Sequence, residues 1–204
     1  MKAVFLLSPA NTAGVRAGFL LNPKATFALA RQFQGDGLPL GEAFSFASGL
    51  YFRGKLAYAR RFAGPEDRVR VITTNAGLVD PARRIRPADL RGFAEVDIET
   101  NDERYLGPLR RSARALARQL DPGGLAVLLG SIATAKYREI LLEVFGDRLV
   151  FPADFIGRGD MSRGALLLHA AEAGQLLPYL PVRGTVLHGK RAASWKTTLS
   201  RTRQ

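Results

Sequence analysis

A continuous apolar run, Ala3–Leu7, opens the chain and stops at Ser8-Pro9. Such a run without alternation predicts a strand buried on both faces, as in a parallel sheet. Three more runs have the same character. Residues 69–74 (VRVITT) are rich in β-branched side chains and end at Asn75-Ala76-Gly77. Leu125–Leu129 follows the turn Asp121-Pro122-Gly123-Gly124 and ends at Gly130-Ser131, and residues 149–151 end at Pro152. Between them the spacing changes to that of helices. Helices are predicted over 25–33, 42–62, 105–120, 133–145 and 161–173, with Gly49 and Gly54 as weak points in the second. The expected fold is α/β: a three-layer sandwich with a central four-stranded, mostly parallel sheet flanked by helices.

Length adds one constraint. With 204 residues, 47% of them apolar, the chain has enough core for one α/β domain, expected over 1–189. Residues 190–204 are basic and polar and read as a flexible tail. The first apolar run is too short for a signal-peptide core, and no stretch reaches the ~18–20 apolar residues of a spanning helix. A cytoplasmic protein without membrane association is expected.

Charge and cysteine content narrow the chemistry. There are 30 Lys and Arg against 18 Asp and Glu, a formal net charge of +12. A polyanionic partner is expected, with DNA ahead of RNA. The absence of cysteine excludes disulfides, thiolate nucleophiles and Cys-held metal. His169 and His188 lack ligand-type spacing, so no metal and no cofactor are expected.

Ligands of parallel sheets bind where strands end and helices begin. The loop after the first strand offers Ser8, Asn11 and Arg16. The second offers Asn75 as an amide reader of a base edge, followed by Arg83, Arg84 and Arg86. In the third, Gly130-Ser131 opens a helix and resembles an anion site, with Lys136 beyond it, but it is not a P-loop. The fourth gathers Arg158, Asp160 and Arg163. On the long second helix, Tyr51, Phe52, Arg53 and Lys55 interleave aromatics with cations, as a base-stacking surface does.

The order of these motifs resembles the uracil-DNA glycosylase superfamily. Ser8-Pro9-Ala10, Gly14, Arg16 and Gly18 are similar to its first motif. Residues 71–75 with Pro81 and Pro87, the stretch 127–131, and Phe151-Pro152-Ala153 follow in the same order. In that alignment Ser8 stands where many members carry a water-activating Asp or Asn. Phe151 or its neighbour stands where they carry a histidine. A second resemblance, through residues 49–59 and 77–81, is to uncharacterised bacterial and phage families. The opening Ser-Pro-Ala is also similar to a DNA-binding peroxide-stress family.

These readings together imply a nucleic-acid-binding protein of glycosylase-like fold that recognises or excises a modified base. Asp160 and Ser8 are the candidate catalytic residues. Asn11, Arg16, Tyr51, Phe52, Asn75 and Ser131 would contact the base. Arg53, Lys55, Lys136, Arg158 and Arg163 would contact phosphate. The alternatives are a non-catalytic DNA- or RNA-binding module, or an enzyme for a nucleotide or phosphorylated small molecule.

Overall fold

The apolar runs pair because a strand buried on both faces can satisfy its backbone N–H and C=O groups only by bonding to neighbouring strands. A computed structural model describes residues 2–64, 68–98, 102–133 and 135–185. The expected tail lies outside the described residues, as does His188. In chain order the elements are β1 (Ala3–Leu7), α1 (Val15–Leu21), α2 (Ala28–Gly35), β2 (Leu38–Pro39), α3 (Leu40–Ser48) and α4 (Leu50–Phe62). Then come β3 (Val69–Ile72), β4 (Leu78–Val79), β5 (Arg84–Ile85), α5 (Pro87–Ala94) and α6 (Glu103–Gln119). The chain continues through β6 (Leu125–Leu129), α7 (Ala135–Phe145), β7 (Leu149–Pro152), α8 (Asp160–Ala173) and β8 (Tyr179–Pro181).

The main sheet has strand order β4-β3-β1-β6-β7-β8. Its four inner strands are the four apolar runs, and they run parallel: Leu7 aligns with Val71 on one side and Leu129 on the other. The expected count of four strands falls short by two. Strands β4 and β8 add antiparallel edges. Both are only two or three residues long, too short to show periodicity. The third strand also ends earlier than expected. Thr73 leaves it to bond the Gly77 carbonyl through both its N–H (2.9 Å) and its hydroxyl (2.8 Å), which turns the chain into β4.

The long second helix is two helices. Gly49 sits between α3 and α4 with φ +62°, which favours a residue without Cβ. Gly54 does not break α4; it lets α8 approach. A Cβ on Gly54 would strike the Gly164 carbonyl oxygen, and one on Gly164 would meet Tyr51 Cα at 2.8 Å. Helix α1, read from sequence as loop, and helix α5 are short additions. Helices α6 and α7 are bridged by Arg110 and Arg114 to Glu143, at 3.4 and 2.7 Å.

The α4–α8 contact is backbone against backbone, so neither partner can yield by a rotamer change. Gly54→Val and Gly164→Val are each expected to destabilise the fold by about 2–3 kcal/mol. Urea unfolding checks this, with Gly18→Val as control because a Cβ there meets nothing.

Candidate functional site

Strand β1 lies between β3, the next strand of the main sheet, on one side and β6, which the chain reaches by crossing to the other. The connections therefore diverge at the carboxyl ends of β1 and β6, where open α/β sheets leave a crevice. A cleft of about 950 Å³ occupies that place. Its walls come from residues 8–13 after β1, from Ser131, Lys136 and Tyr137 after β6, and from Tyr51 and Lys55 on α4. Residues 93–98, from the last turn of α5 onward, and Asp160 and Met161 at the start of α8 close it.

Lys55 forms the floor. It is 2% exposed, and its Nζ donates to the Ser8 carbonyl at 2.7 Å and to Ser8 Oγ at 2.8 Å. The rings of Tyr51 and Phe52 lie 4.5 and 4.8 Å from the same nitrogen. Burial lowers the Lys55 pKa to about 7, against a smaller opposing pull from Asp160. Tyr137 completes the floor. Its hydroxyl donates to the Ser131 carbonyl at 2.9 Å, and burial pushes its pKa up to about 12. Gly130 makes this closeness possible, since a Cβ there would meet Ser8 Cβ at 2.7 Å and the Tyr137 hydroxyl at 2.8 Å.

Further up, the walls are tied by side chain to backbone. The Asn11 N–H donates to Ser48 Oγ at 3.0 Å, and Asn11 Oδ1 accepts from Ala13 N–H. Thr74 Oγ1 donates to the Phe93 carbonyl at 2.6 Å, which joins the β3 loop to the end of α5. Ser131 Oγ accepts from Ala133 N–H at 3.3 Å. The Tyr51 hydroxyl is buried beside the Arg163 guanidinium, without a well-aligned hydrogen bond between them. Burial raises its pKa well above the usual phenol range, and the nearby Arg163 charge offsets only part of that.

The cleft thus brings together Ser8, Asn11, Tyr51, Lys55, Ser131, Lys136 and Asp160 from the sequence-derived set. The others lie elsewhere. Phe52 is fully buried, edge-on to Phe44 at 5.5 Å, so it is a core residue and not a stacking platform. Lys55 is likewise corrected: its ammonium faces Ser8 inside the protein, not a phosphate outside it. Asn75 donates to the Gly92 carbonyl at 2.8 Å and lines a separate hollow of about 320 Å³ with Arg83. Arg16 covers the Phe46 ring at 5.0 Å, outside the cleft lining, and Arg53 is on the exposed side of α4. Arg158 bonds Ser162 Oγ at 3.1 Å. Arg163 lies behind the wall, bonded to the Phe155 carbonyl at 3.2 and 3.3 Å and 3.5 Å from Asp160. Asp160 itself is two-thirds exposed at the cleft mouth.

Sequence reasoning missed Thr74, Tyr137, Glu95 and Asp97 as lining residues. The last two follow α5, a helix it did not place, so only the fold brings them to β1. Among the described residues no three His, Cys, Asp or Glu side chains gather as a metal site, and no helix is long and apolar enough to cross a membrane. No family model matches the chain, and neither a curated protein nor a solved structure matches it.

Lys55 links the site to stability. Its folded pKa of about 7 lies below its ordinary value of 10.5. Between those values the unfolded chain holds a proton that the folded one has released, so stability rises with pH from about 7 to 10. Lys55→Met is expected to flatten that rise. Chemical denaturation of both proteins at pH 7 and pH 9 measures the difference.

Proposed function

We propose that the protein recognises a nucleobase, presented by a nucleic acid, in the cleft at the ends of β1 and β6. The observation that carries this reading is the location and size of the cleft: about 950 Å³ at the divergence of the sheet connections. That volume admits a nucleoside. Its polar groups are suited to a base edge. Asn11 brings an amide, Ser131 a hydroxyl, and Tyr51 a buried hydroxyl without a well-aligned hydrogen bond. Glu95 and Asp160 supply acceptors for exocyclic amino groups or sugar hydroxyls, and Lys136 supplies a cation for a phosphate.

The net charge of +12 supports a polyanion as the carrier of the base. A base held in such a cleft must leave the stack, which a single strand or a weakened pair allows at least cost. The uracil-DNA glycosylase resemblance adds excision to this reading. In it the exposed carboxylate of Asp160 takes the proton of the attacking water.

Binding and excision separate experimentally. Oligonucleotides carrying uracil, hypoxanthine or xanthine are titrated alongside unmodified ones at several salt concentrations. The expected result is a steep loss of affinity with salt and a preference for one modified base. Asn11→Ala and Tyr51→Phe are expected to reduce that preference about 10-fold, an energy near 1.4 kcal/mol. Equal affinity for every oligonucleotide, unchanged in both variants, overturns base recognition. Abasic sites formed at enzyme excess, and lost in Asp160→Ala, are expected for excision; their absence at enzyme excess removes it and leaves recognition standing.

A further inference from the structure

Base recognition leaves a nucleophile and an amine unused on the cleft floor. Ser8 Oγ and Lys55 Nζ are 2.8 Å apart, within reach for direct proton transfer. The Ser8 carbonyl, 2.7 Å from the same nitrogen, can only accept a hydrogen bond, so it engages one amine hydrogen. Once Lys55 is neutral, its lone pair faces the Ser8 hydroxyl, whose other polar neighbour is the Tyr137 hydroxyl. The Tyr51 and Phe52 rings cover the nitrogen, and the side chain is 2% exposed. Ser8 follows the last residue of the central strand, so its position is set by ladders on both sides. A nucleophile, a base within reach and a group that orients the base are the parts of a Ser–Lys dyad.

We propose that Ser8 and Lys55 form a nucleophile–base dyad that hydrolyses a carboxylic ester or amide bound in the cleft. Lys55 Nζ takes the Ser8 proton as Oγ attacks the carbonyl carbon. The resulting ammonium returns that proton to the leaving oxygen or nitrogen as its bond to carbon breaks. The products of this half are an acyl-serine and a free alcohol or amine. Water then attacks the acyl carbon while Lys55 takes its proton. Collapse breaks the bond to Oγ, the proton returns to Ser8, and a carboxylic acid leaves. Burial supports the base role. With its pKa lowered to about 7, Lys55 is neutral in roughly half the molecules at neutral pH.

The test needs no nucleic acid, so its outcome is independent of base recognition. The full chain is treated with a fluorophosphonate probe, and the modified peptide is mapped by mass spectrometry. Labelling is expected on Ser8, with a rate that rises about 10-fold from pH 6 to pH 8 as Lys55 loses its proton. Ser8→Ala removes the label. Lys55→Met slows it by roughly 100-fold or more at pH 8, provided circular dichroism shows the native fold. Hydrolysis of p-nitrophenyl acetate gives a burst whose amplitude falls in proportion as the labelled fraction rises. Ser8 left unmodified at saturating probe, or a labelling rate that is flat across this pH range, overturns the proposal. The flat-rate criterion applies to the wild-type protein and stands even if Lys55→Met does not fold.

Discussion

Placing an ammonium inside a protein costs several kcal/mol unless its hydrogens are satisfied. Lys55 meets this condition with very few partners: one carbonyl, one hydroxyl and the faces of two aromatic rings. Both polar partners belong to Ser8, the first residue beyond β1. The floor of the cleft therefore exists only if α4 and the end of β1 are in register. Desolvation is not fully offset, which is why the amine gives up its proton near pH 7. The same deficit that destabilises the charged form makes the group chemically responsive.

That register depends on two close approaches at glycine. Gly54, beside Lys55, meets Gly164 across the α4–α8 contact, and this brings the first turn of α8 with Asp160 to the cleft. Gly130 lets Ser8 and the Tyr137 hydroxyl occupy one corner. Larger residues would hold the helices or loops apart by the width of a side chain. The positive charge is distributed less freely than its total implies. Arg84 and Arg86 bond carbonyls at the end of α2, on Gly35, Asp36 and Gly37, and so complement the negative end of that helix. Arg110 and Arg114 share Glu143 between α6 and α7. Charges committed to the fold in this way attract a polyanion less than exposed, mobile ones.

The sequence read well wherever one periodicity ran long enough. The four inner strands are continuous apolar runs, and the loops after β1 and β6 are two of the four that the strand-end rule selects. Edge strands of two or three residues carry no period, and α5 was hidden between turn residues. The error at Phe52 and Lys55 has a different origin. Aromatics and cations in alternation look like a binding face, yet Phe52, Lys55, Leu56 and Ala59 form one buried helical stripe. A lysine on such a stripe is itself the signal of a buried amine. Asn75 has the amide that a base reader needs, but that amide is consumed by Gly92 of α5, a contact across 17 positions.

The cleft and its floor are coupled through charge. Asp160 at the mouth pulls the Lys55 pKa upward, and burial pulls it down more strongly. Any occupant changes that balance. An anionic group placed beside Lys136 adds to the field of Asp160 and raises the proton affinity of Lys55. A cation set against Asp160 and Glu95 does the reverse. Because linkage is reciprocal, protonating Lys55 strengthens binding of the first kind of ligand and weakens the second. An apolar acyl group acts differently again, by displacing water above Ser8 and deepening the desolvation that frees the amine lone pair. One buried lysine thus makes the chemistry of the floor depend on what fills the cleft above it.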